Sequence, residues 1–235
     1  MSERSQIAIL WWSIIFLVIF GITWLTLLGM IPPPPPRLSA DEVAAFYSEH
    51  ALNIKLGAVI ASWTSAFMVP LTAVLAAQIA RLEKGFPIWA LVQFAGGILM
   101  SIFLVFPPIY WGVAAFNPER LAEATALINQ MANLTLVTTD QYFIFQMIPI
   151  TYISFTCKQD EFCPFPRWLG WLNLWIALIF EVGAFAFMFQ SGPFAWDGLF
   201  VFWFPFVSFF IWLTAVFICL MSALHRQKSA ILINN

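Results

Sequence analysis

The chain has 235 residues, 62% hydrophobic and only 9% charged, with a mean hydropathy of +0.87. A soluble domain carries about a quarter charged residues, so a water-soluble fold of this length would lack the polar surface to cover its core. The net charge of −2 and the lack of a basic stripe exclude a nucleic-acid footprint, which needs Lys and Arg clustered on one face.

The first apolar run, Ile7 to Ile31, is far longer than the 7–15 residues of a signal-peptide core and is followed by no A-x-A cleavage pattern. It predicts a retained membrane helix over about 7–31. The run Pro32 to Pro36 then reads as a stiff polyproline II spacer. Ser39-Ala40-Asp41-Glu42 has the form of a capping box, and Val43, Phe46, Tyr47, His50 and Ile54 repeat at helical spacing. The expectation is a short amphipathic helix over about 40–50, lying on the outer leaflet.

A second span follows over about 56–80 and a third over about 86–112, each beyond the roughly 20 residues a bilayer requires. Asn117-Pro118-Glu119 offers an N-cap, a first-turn proline and an early acid, with Leu121, Ala124, Ile128 and Met131 as an apolar stripe. A second outer-surface helix is therefore expected over about 118–131. The fourth span, about 136–157, carries Asp140 near its start, and the fifth, about 168–190, carries Glu181. A tight turn, Ser191 to Asp197, leads into the sixth, about 198–224. Pro70, Pro149 and Pro205 fall in the even-numbered spans, where each removes a backbone hydrogen bond and tends to kink the helix.

The whole chain thus reads as one all-α membrane domain. Its six transmembrane helices form three hairpins, with two short amphipathic outer-surface helices. Placing the N-terminus inside puts Arg4, Arg81, Lys84, Lys158, Arg167, Arg226 and Lys228 in the cytoplasm, against Arg37, Lys55 and Arg120 outside. The positive-inside bias therefore predicts both termini in the cytoplasm. Phe86-Pro87-Ile88-Trp89 and Phe165-Pro166-Arg167-Trp168 hint at an internal repeat, although interfacial preferences for Pro and Trp explain the match equally well.

Glu181 is the sharpest chemical feature. It lies roughly 20 Å along its helix from Trp168, and acids at such depth usually face the bundle interior and mark ion, proton or substrate sites. The intramembrane amides Gln93, Gln146 and Asn173 serve either as ligand contacts or as hydrogen-bonding glue between helices. His50, Glu49, Asp140, Tyr110 and Asp197 are candidates for an outer vestibule. Trp203, in the run Phe200 to Phe206, is a candidate lining residue for a flat or greasy ligand. Cys157 and Cys163 flank a short charged loop at a spacing that is neither a disulfide framework nor a CxxC pair; on the cytoplasmic side they would stay reduced.

Two histidines, His50 and His225, fall on opposite predicted faces, and no GxSxG, HExxH or Gly-rich phosphate loop occurs. No metal or cofactor is expected. The segments Ser39-Ala40-Asp41-Glu42, Ala45-Phe46-Tyr47, Phe165 to Gly170 with Asn173 and Trp175, and Gly192 to Gly198 resemble those of a group of bacterial six-span membrane proteins. That resemblance implies a fold and carries no activity.

The leading expectation is a non-enzymatic bundle that binds or passes a small hydrophobic molecule or lipid near Glu181. An accessory subunit of a homo-oligomer or larger membrane complex is the second reading. A membrane enzyme acting on a lipid or isoprenoid, with Glu181 or Asp140 as proton donor, is the third.

Overall fold

A computed structural model describes residues 2–117 and 119–234, all helical or irregular, with no strand among them. Five of its helices are long and apolar enough to cross a membrane: Glu3–Leu28, Ala51–Leu82, Ile88–Phe116, Arg167–Phe187 and Leu199–Ala230. The α-helical pieces are α1 (Glu3–Thr23), α2 (Ala40–Glu49), α3 (Ala51–Thr64), α4 (Met68–Leu82), α5 (Ile88–Met100), α6 (Ile102–Phe116), α7 (Ala122–Thr138), α8 (Ile144–Thr156), α9 (Arg167–Phe180) and α10 (Phe204–Asn234).

Consecutive rods pack side by side. Ser13 of α1 donates to Phe67 O (2.7 Å), while two turns earlier in α1 Gln6 accepts from Gln78 (2.8 Å). Gln93 of α5 donates to Thr72 of α4 (2.7 Å), and Gly112 of α6 meets Ala58 of α3. Gly96 faces Phe145, and Trp111 donates to Asn133 (3.0 Å). Thr151 reaches Gly170 O (3.3 Å), Trp212 donates to Asn173 (2.9 Å), and Trp11 meets Phe217 edge-on at 5.9 Å. In the pairs with two contacts, a step forward on one rod is a step back on the next, so neighbours run antiparallel. The last contact closes the ring, with α10 against α1. Gln78 seals one end by bonding Gln6 of α1 and accepting from Gln227 of α10 (3.2 Å) and Arg81 (3.1 Å).

The capping box forms as expected. Ser39 Oγ accepts from Glu42 N–H (3.3 Å), and Glu42 Oε2 accepts from Ser39 N–H (2.8 Å). The backbone bond and then the hydroxyl bond from Ser39 hold the Glu42 carboxyl below its usual range. Helix α2 buries Val43 and Tyr47. The proline run is docked rather than free: Pro34 O accepts from Trp196 Nε1 (2.9 Å), and Arg37 pairs with Asp197 at 3.7 Å.

The short helix expected over 118–131 is found over different residues. Pro118 lies outside the described residues. Helix α7 runs Ala122–Thr138 and packs along α6, with Thr125, Asn129, Ala132, Asn133, Leu136 and Val137 buried and Leu121, Glu123, Leu127, Gln130 and Met131 exposed. Its buried face carries three polar side chains, which the expectation of an apolar stripe did not foresee.

Nearly every rod has a non-α stretch. Ser65–Phe67 is a 3₁₀ break centred on Ala66, the residue whose carbonyl Pro70 cannot bond. Trp24–Leu28 and Leu199–Trp203 are π-helical, and Asp140–Phe143 and Glu181–Phe187 are 3₁₀. Pro149 instead sits inside an unbroken α8. The third rod runs to Phe116 and the last to Asn234, both beyond their expected ends, while the fifth stops at Phe187.

Candidate functional site

Three of these irregular stretches, with the end of α9, meet around one interior cavity of about 40 Å³. Trp24 and Phe202 reach it from the two π turns, Asp140 from the break between α7 and α8, and Phe180 from the end of α9. Departures from α geometry are frequent at functional sites because they re-aim side chains and leave backbone groups unpaired. Below the cavity, Phe143 packs against Phe103, Phe180, Phe209 and Trp212 at centroid distances of 5.8, 4.5, 5.6 and 5.4 Å. This aromatic plug fills the bundle's centre. Phe206 and Phe210 form the rim, and Phe210 is exposed on the bundle's outer face.

Among the described residues, Asp140 is the only ionisable one lining the cavity. It is 4% exposed, and its Oδ1 is buried with no hydrogen-bond partner among the described residues. The fifth rod approaches it closely at Gly183. A Cβ there would stand 2.5 Å from Asp140 Oδ1 and closer still to Val137 O. Glycine is what allows the two 3₁₀ segments to touch.

Glu181 is placed differently from expectation. It lies on the exposed outward face of its rod and does not line the cavity. Trp203 also points outward, at 37% exposure. Tyr110 is half-buried beside Phe106, with centroids 6.0 Å apart. The expected vestibule does not assemble. His50 bonds Phe46 O of its own helix (2.9 Å), Asp197 is engaged with Arg37, and Asp140 is inside the bundle.

The three amides divide. Asn173 is fully used, donating to Leu169 O (2.6 Å) and accepting from Trp212 Nε1, which makes it glue. Gln93 donates to Thr72 while its Oε1 is buried without a partner among the described residues, as are both amide atoms of Gln146. Neither glutamine lines the cavity.

A polar chain that sequence reasoning missed leads toward the site. Tyr47 OH and Asn133 Nδ2 both donate to Asn129 Oδ1, at 2.9 and 3.0 Å, and Trp111 Nε1 donates to Asn133 Oδ1. Burial pushes the Tyr47 phenol well above its ordinary value. The available signal was the spacing of Thr125, Asn129 and Asn133, one helical turn apart, with Asp140 two turns further on.

No family model, curated protein or solved structure matches the chain.

Proposed function

We propose that the chain crosses a bacterial cytoplasmic membrane six times with both termini inside. In this reading it binds a small apolar molecule carrying one hydrogen-bonding group, which docks at Asp140. The sixth crossing is the rod from Ala122 to Thr156, interrupted at Thr139–Phe143. Its support is α8, where Phe145, Ile148, Tyr152 and Phe155 are exposed and no charged residue occurs from Gln141 to Cys157, which suits lipid as the solvent. The orientation rests on the seven-to-three bias of Lys and Arg described above.

The observation that carries the binding reading is the orphaned carboxylate oxygen in an otherwise aromatic and aliphatic cavity. A buried polar atom without a partner costs about 1–3 kcal/mol, and a ligand hydroxyl or amine would remove that cost. At about 10–15 Å³ per water, the cavity holds about three water-sized groups. The ligand's polar group therefore sits inside while its apolar remainder leaves past Phe206 and Phe210 into lipid. The plug around Phe143 favours binding over passage. Because Glu181 faces away, two acids do not converge on the cavity as lipid acid–base chemistry would require.

The test is mass spectrometry of small molecules retained by the protein in mild detergent, comparing wild type with Asp140→Asn and Asp140→Leu. A defined apolar species should accompany wild type and fall roughly tenfold in Asp140→Leu, the worth of one good hydrogen bond. Equal retention by all three monodisperse proteins removes the site. Stoichiometric foreign membrane chains in place of a small molecule support the accessory-subunit reading instead.

A further inference from the structure

The segment after α8 folds back on itself tightly. Cys157 closes the helix through its N–H to Ile153 O (2.9 Å), and Cys163 N–H donates to Asp160 O (3.2 Å). Phe162 N–H donates to the Asp160 carboxylate (3.0 Å). Gln159 Nε2 ties the loop to Ser154 O (3.0 Å) and Phe165 O (3.3 Å). The result brings two free thiols together, with Cys157 Sγ and Cys163 Sγ 2.8 Å apart. A disulfide bond is about 2.05 Å long, so less than an ångström of closure separates this pair from a bond. The six-residue offset hid the pair, because proximity comes from the turn and not from the spacing.

The loop is also a clasp. Arg81 of α4 and Gln227 of α10 both donate to Phe162 O at 2.9 Å, and Arg226 donates to Glu161 O. Cys163 is buried but borders a surface groove shared with Asp160, Cys219, Ser222 and Arg226, and Cys157 is half-buried. The groove offers a reagent an approach toward Cys163 and places a guanidinium beside the entry.

We propose that Cys157 and Cys163 are the site of a reversible intraloop disulfide, formed by exchange with a low-molecular-weight disulfide. The Cys163 thiolate attacks one sulfur of the reagent and expels the first thiolate, leaving a mixed disulfide. The Cys157 thiolate then attacks the Cys163 sulfur and expels the second. The two cysteine protons end on the two released thiols, so one reagent disulfide is reduced for each protein disulfide formed. Under the orientation proposed above the loop faces the cytoplasm, where the pair rests reduced and oxidises under disulfide stress. In the oxidised state the clasp on α4 and α10 is held by a covalent loop.

The full-length protein in detergent is treated with oxidised glutathione, its free thiols are trapped with a maleimide, and peptides are mapped by mass spectrometry. Wild type and Cys219→Ser should both yield one Cys157–Cys163 peptide lighter by two hydrogens, reversed by dithiothreitol. Cys157→Ser should stop at a glutathione adduct on Cys163. The proposal is overturned by a lasting adduct in wild type, by a Cys163–Cys219 bridge, or by three free thiols under conditions that oxidise an exposed dithiol peptide.

Discussion

Gly183→Ala is the substitution whose consequence is most directly fixed by the geometry. The new Cβ would lie 2.5 Å from Asp140 Oδ1 and nearer to Val137 O, where ordinary contact is about 3.5 Å. The Val137 carbonyl is backbone and cannot rotate away, so the 3₁₀ segment Glu181–Phe187 must retreat by about 1 Å. Overpacking of this kind costs about 1–3 kcal/mol. For a chain of this size that corresponds to a fall in melting temperature of about 2–12 °C. The matched control is Gly21→Ala in α1, where an added methyl meets nothing within 4 Å. There the gain in helix propensity of about 0.5–1 kcal/mol should leave stability equal or higher. Thermal unfolding in one detergent, followed by intrinsic tryptophan fluorescence, compares the three proteins. If Gly183→Ala melts with wild type, or both variants shift together, the close approach of the fifth rod to Asp140 is wrong.

Two other perturbations probe different parts of the molecule. Asn129→Ala removes the acceptor of both Tyr47 and Asn133; a double-mutant cycle with Tyr47→Phe should give a coupling of about 0.6 kcal/mol, the average for polar contacts between membrane helices, and zero coupling would deny the bond. Because Glu42 is held below its usual range by Ser39, its capping contribution is complete above the unfolded carboxyl value near 4.3 and is lost as pH falls through the lower folded value. Hydrogen-exchange protection at the start of α2 should therefore drop between about pH 5 and pH 3. An equal drop in Glu42→Gln would refute that cause.

Much of this architecture was legible because it is local. Ser39 and Glu42 are three residues apart and need nothing else to meet. The break at Ser65–Phe67 lies where Pro70 withholds a backbone bond, yet Pro149 leaves α8 unbroken, so a proline marks a candidate break rather than a certain one. Helix α7 is harder to read, because Thr125, Asn129 and Asn133 lie on its buried face and give no apolar stripe to follow. Glu181 is harder still. Counting along a helix gives depth and says nothing of direction around the axis, and that rod changes from 3.6 to 3.0 residues per turn at Glu181 itself. Asp140 stands two residues past the end of α7, so only the polar spacing of Thr125, Asn129 and Asn133 before it points toward the interior. The thiol pair was invisible because a turn, not a period, creates it.

The ring of rods has an order of manufacture built into it. The first and last rods are neighbours, joined through Gln6, Gln78 and Gln227 and by Trp11 against Phe217. Leu199–Ala230 follows the other rods along the chain, so Ser13 of α1 can find Phe67 O well before the seam between α1 and α10 can close. Until that rod is made, the others form an open arc whose α1 edge lacks its neighbour. Chains stalled before Gly198 should therefore be the ones most readily captured by membrane quality control, and docking of α10 is the event that removes the edge.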